Sequence, residues 1–287
     1  MSREIVDALK IIDERHKLSI SWLAEFQETH EGQAPIGLII RCIDSRLYRI
    51  MNTDSISRVL GKVLEYKTMG NTIDPKNIKD RAVITYFLKN LDASLEKHGV
   101  GRGFIIVEGH SDCGAVRLIH ETPPVLLTEP MTSVLKPIYV ATKYVFDVFK
   151  EDPNRIMSVV EGIVSESALA VKTDIRKKFH PEIFYDKNVV RILRKQINPA
   201  RASMALHFYL CIINAVIQVF NMLMLDMVKR YTIDGKIDFL VSLYDIFSAR
   251  TFYFVVDGQA IISELGHLLR EPLQLSGIDI AEYFRVI

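Results

Sequence analysis

The chain has 287 residues, 49% of them hydrophobic and 25% charged, the make-up of a globular protein with a substantial core. Its net charge of +1 leaves no basic excess to neutralise phosphates, which excludes a nucleic-acid binder, and no run of like charge suits polybasic membrane tethering. Three cysteines are too few for a disulfide framework, so a reducing, cytoplasmic setting is expected.

In chain order, Ile5, Leu9 and Ile12, then Trp22, Leu23 and Phe26, fall at helical spacing, and Gly32 closes an N-terminal helical arm over about 1–32. Arg3, Glu4, Asp7, Lys10 and Asp13 make this arm too charged for the apolar run of a secretory leader. The short apolar run 36–41 predicts a buried strand, and 63–66 a second one closed by the Gly70–Asn71 turn signal. Val83, Ile84, Phe87, Leu88, Leu91 and Leu95 repeat at helical spacing, with Gly99 as the C-cap. A third strand, 104–107, runs directly into Gly109 and His110. Strand, helix and strand in that order imply a right-handed crossover and parallel pairing.

Prolines 123, 124, 130, 137, 153, 181 and 199 punctuate the next stretch, with helical patches between them such as 139–149. Residues 203–225 contain no Asp, Glu, Lys or Arg and are long enough to span a bilayer. Within them Asn214, Gln218 and Asn221 sit at i, i+4 and i+7, and three amides on one face suit a buried helix better than lipid. Residues 236–244 alternate as a strand, 251–256 supply its hairpin partner, and 260–270 read as a last helix. The expected fold is α/β, a mostly parallel sheet with an antiparallel edge strand, flanked by helices and forming a single domain over 1–287.

Three zinc-competent residues stand at the carboxyl ends of two of these strands: Cys42 after the first, His110 and Cys113 after the third. Sites in open α/β sheets form where strands end and loops diverge. Thiolates with imidazole favour zinc, and three protein ligands leave the open position of a catalytic site. Cys113 precedes a helix expected to begin near Gly114, whose N-terminus favours the thiolate. A cysteine or histidine taken singly is an ordinary core residue; Cys211, inside the apolar run 206–216, is read that way. Asp44 and Arg46, two and four residues beyond Cys42, add a carboxylate able to accept a proton and a guanidinium able to keep it ionised.

Cys42-x-Asp44-Ser45-Arg46 followed by Gly109-His110-Ser111-Asp112-Cys113-Gly114-Ala115 closely resembles the paired signature of β-class carbonic anhydrases. Gln33, nine residues before Cys42, falls where that family often has an active-site glutamine, and Gly70-Asn71, the amide-bearing helix and Tyr244-Asp245 match further family features. The resemblance implies zinc held by Cys42, His110 and Cys113, and reversible hydration of carbon dioxide to bicarbonate by zinc-bound hydroxide. Gln33 and the backbone N–H near Gly114 would bind bicarbonate oxygens, with Asp44 and Arg46 as the proton-accepting pair. Asp44 would serve, in a closed state, as a fourth ligand. A homodimer or higher homo-oligomer is implied as well. Two departures stand out: Lys67-Thr68-Met69 replaces the family's Arg-Asn-Ala before Gly70, and the stretch after Cys113 is long enough to hold a helical insertion within about 120–205. Two other functions fit the same residues: zinc-dependent hydrolysis of carbonyl sulfide or carbon disulfide, and a catalytically weak zinc module that binds a partner through its insertion.

Overall fold

A computed structural model describes residues 33–44, 62–121, 131–151, 199–246, 250–267 and 278–286. The expected arm over 1–32 and most of the expected insertion lie outside these residues. The chain enters strand β1 (Gly37–Cys42), then β2 (Val63–Thr68), a 3-10 turn (Met69–Asn71), helix α1 (Ile78–His98) and β3 (Gly103–His110). Helices α2 (Gly114–Glu121), α3 (Met131–Glu151), α4 (Pro199–Leu223) and α5 (Asp226–Ile233) follow. Next come β4 (Ile237–Asp245), β5 (Arg250–Val256), α6 (Gly258–Leu265), a second 3-10 turn (Ile280–Tyr283) and β6 (Phe284–Val286).

The six strands form one sheet in the order β2-β1-β3-β4-β5-β6. The first four are parallel to one another, while β5 pairs antiparallel with β4 and β6 antiparallel with β5. The mostly parallel sheet is as the sequence predicts. The antiparallel edge has one strand more than expected, because a three-residue β6 is too short to show a period. Gly99 caps α1 in the left-handed conformation (φ 63°), and the Asn77 side chain accepts from Lys79 N–H at the other end. Pro137, expected to interrupt, lies inside α3 instead. Its neighbours Leu135, Ile138, Ala141 and Val145 are fully buried at helical spacing, and that burial holds the helix across the missing N–H.

One face of the sheet is dry: Leu38, Ile40, Ile105, Val107, Val241, Leu243 and Phe254 are fully buried. Helices α1 and α4 pack there, closely enough that a Cβ on Gly103 would meet Leu91 of α1 at 2.7 Å and one on Gly109 would meet the Cys211 carbonyl of α4 at 3.5 Å. The opposite face carries charge. Arg41 bonds Glu65 on one side and Glu108 on the other, each at 2.8 Å, so three adjacent parallel strands are tied across their register. Burial pushes the Glu108 carboxyl up, and Arg41 opposes that shift.

Helix α4 is long and apolar enough to cross a membrane, yet 89% of its window Leu206–Leu223 is buried inside the protein. Its three amides find partners on the first 3-10 turn and the segment that follows it. Asn214 donates to the Gly70 carbonyl at 2.9 Å, Ile73 N–H donates to Gln218 Oε1 at 2.8 Å, and Asn221 donates to the Ile73 carbonyl at 2.9 Å. Gln218 also donates to Asn214 and accepts from Asn221, so the amides form one ladder. Gln218→Leu keeps the bulk but strands the Ile73 N–H and one N–H of the Asn221 amide; it should cost about 2–4 kcal/mol, read as a lowered denaturant midpoint. An unchanged midpoint would mean that water replaces the ladder at no loss.

Candidate metal centre

The parallel arrangement brings the ends of β1 and β3 side by side, and the three sequence-predicted ligands converge there. One ligand atom each from Cys42, His110 and Cys113 lies within 4.8 Å of the other two, and all three residues are buried. Cys42 is the last residue of β1, and His110 is the last of β3. Cys113 follows a sharp turn in which Asp112 adopts the left-handed conformation (φ 57°), braced by an ion pair from Asp112 to Arg117. That turn delivers Cys113 to the N-terminus of α2, where the Val116 N–H donates to its sulfur.

The donor set fits zinc. Two sulfurs bonded to a tetrahedral zinc at ~2.3 Å stand about 3.8 Å apart. The Cys42 and Cys113 Sγ atoms are 3.9 Å apart. His110 Nδ1 sits 2.9 Å from the Ser111 carbonyl, which can only accept, so Nδ1 carries the proton. Nε2 is then a bare lone pair, buried and without a hydrogen-bond partner. A buried orphan acceptor beside two thiols has the chemistry of a ligand. The thiols are already differentiated: the hydrogen bond from Cys113 holds Cys42 well below the usual thiol range, against desolvation. The same bond and burial push Cys113 up.

Asp44, just past β1, places Oδ2 3.7 Å from His110 Nε2, at the rim of the cluster. Arg46 lies outside the described residues. Gly114 opens α2, where first-turn N–H groups lack partners within the helix. Gln33 is not brought to this cluster: it is exposed before the start of β1, whereas Cys42 is at the strand's far end, roughly 16 Å along. Among the departures, Met69 packs against the core and Lys67 is exposed, 3.6 Å from Glu65.

Three sets of contacts near the cluster escape the sequence reading. Cys211 is core, as expected, with burial pushing its thiol up to about 12; it also accepts the Cys113 N–H and lies 3.7 Å from His207, one helical turn earlier on α4. That i, i+4 spacing of His207 and Cys211 was the available signal. Glu108 belongs to the Arg41 network, a pairing that only the strand register reveals. Ser111 and Asp245 meet across 134 residues, which no local pattern announces.

A carbonic anhydrase family profile matches residues 37–194, more than half of the chain. A chain from the crystal structures of two tetrameric β-carbonic anhydrases of Sordaria macrospora is similar, with a TM-score of 0.53 and 16% identity over 88% of this chain and 97% of that one. The chain belongs to the β-carbonic anhydrase family. Carbonic anhydrases of Helicobacter pylori and Emericella nidulans are 26% and 27% identical, over 60% and 55% of this chain. The matches span 75% of the first relative and 64% of the second. The β-carbonic anhydrase profile thus takes in all three clustered residues of the site.

Proposed function

We propose that this chain interconverts carbon dioxide and bicarbonate at a single zinc ion held by Cys42, His110 and Cys113. The observation that carries the reading is the cluster itself, two sulfurs 3.9 Å apart beside a buried, unpartnered imidazole nitrogen, in a member of this family. Zinc held there would acidify a water molecule, whose pKa falls from 15.7 toward ~7, and polarise the carbonyl it meets.

The protein's own groups supply the rest. Asp44 Oδ2, at the rim of the cluster, receives the proton of the attacking water, and Arg46 keeps that carboxylate ionised. The same proximity supports Asp44 as the fourth ligand of a closed state, since a short inward movement would take Oδ2 to bonding distance. The Gly114 N–H, at the start of α2, faces developing charge on a bicarbonate oxygen. Gln33, a strand's length from its own Cys42, serves the site of a second copy, which makes a homo-oligomer part of the proposal. The resemblance to tetrameric enzymes supports that assembly. Three free cysteines support a reducing, cytoplasmic location.

Stopped-flow hydration of carbon dioxide across pH, on protein of measured zinc content, tests the reading. The rate should scale with zinc up to about one ion per chain. Zinc-loaded protein that turns over carbonyl sulfide and not carbon dioxide would move the assignment to the hydrolase, and no turnover of either would leave a zinc-bearing module.

A further inference from the structure

Asp245 closes β4 one residue past Tyr244, which sits opposite His110 in the parallel register. From there its carboxylate accepts a 2.6 Å hydrogen bond from the Ser111 hydroxyl. The Ile246 N–H donates back to the same hydroxyl at 2.9 Å, and the Ser111 N–H donates to the Tyr244 carbonyl at 2.8 Å. Ser111 is therefore pinned by three bonds from one strand end, and only 3% of it is exposed. Its carbonyl is aimed by this pinning and by the left-handed Asp112 that follows, so that it meets His110 Nδ1 at 2.9 Å.

We propose that Asp245 is a positioning residue for the metal centre, acting through Ser111 to decide which nitrogen of His110 faces the ion. The inference rests on the zinc reading above. With the carbonyl in place, Nδ1 keeps the proton and Nε2 presents its lone pair to the two thiols. A competing arrangement is built into the same site: Asp44 Oδ2 lies 3.7 Å from Nε2. If Ser111 lets go of Nδ1, the proton moves to Nε2, which then donates to Asp44. The lone pair turns away from the thiols, and the imidazole is lost as a ligand until the tautomer reverts. Asp245 thus tunes metal binding without touching the metal.

The test uses Asp245→Ala and Ser111→Ala, with Ser111→Thr as the variant that keeps the hydroxyl. Two readouts are taken on the full chain: zinc affinity by competition with a chromophoric chelator, and the nitrogen shifts of the His110 ring in metal-free protein. Zinc affinity should fall roughly 10- to 100-fold in Asp245→Ala and Ser111→Ala, the usual cost of losing an outer partner of a histidine ligand. In both variants the ring should move from the Nδ1–H toward the Nε2–H form, and Ser111→Thr should hold both properties near wild type. A structural role alone would lower the unfolding temperature and leave the tautomer where it was. Asp245→Ala that keeps the Nδ1–H form, with affinity within about twofold of wild type, overturns the inference. A wild-type chain that binds no zinc sinks the zinc reading instead, and the tautomer measurement still decides whether Asp245 orients the ring.

Discussion

Cys113→Ser should lose stoichiometric zinc and carbon dioxide hydration together. The substituted hydroxyl is a hard, weakly acidic donor in a pocket shaped for thiolate, and the two remaining ligands cannot close a tetrahedral set. One ligand of three, taken from a total of ~10–16 kcal/mol for zinc on such donors, corresponds to affinity lower on the order of 10³-fold or more. Cys113 is also where α2 begins, so the variant should be checked for an intact helical spectrum before its zinc content is measured. Full activity in metal-free protein would overturn the zinc mechanism outright.

Asp44→Asn separates metal binding from proton movement. The amide keeps the size of the side chain, so zinc should stay bound at the wild-type stoichiometry. A positioned base contributes roughly 10²–10⁴-fold, and turnover should fall by that order. The two roles open to Asp44 predict opposite signs. If the carboxylate mainly takes the proton, the rate falls at every pH. If it mainly occupies the fourth position, the amide frees that position and activity rises. Turnover unchanged at all pH values would remove Asp44 from the mechanism.

Much of this architecture was legible in the sequence because its signals are local. The apolar runs that became β1 and β3 end one residue before Cys42 and three before His110, and the Gly99 cap and the amide face of α4 each lie within a few turns of chain. What was hidden depends on register and on distance along the chain. Glu108 looks anomalous at a strand end until the parallel register sets it opposite Arg41, and β3 then continues to His110. Cys211 looks like simple core until α4 lies against Gly109. Ser111 and Asp245 are joined by strand order, which is fixed only when β4 inserts beside β3.

The amide ladder has a consequence for how the chain comes to its native state. Gly70 and Ile73 leave the ribosome well before their partners, since Asn214 and Asn221 follow them by 144 and 148 residues. Until α4 docks, the peptide groups after the first turn have only water, and an 18-residue apolar window of mean hydropathy 1.7 has no cover. Contacts this distant in sequence close slowly, because loop entropy is lost before any bond repays it. Refolding should therefore be slow and prone to aggregation, with the late step set by the arrival of α4 and β4 rather than by pairing among β1, β2 and β3.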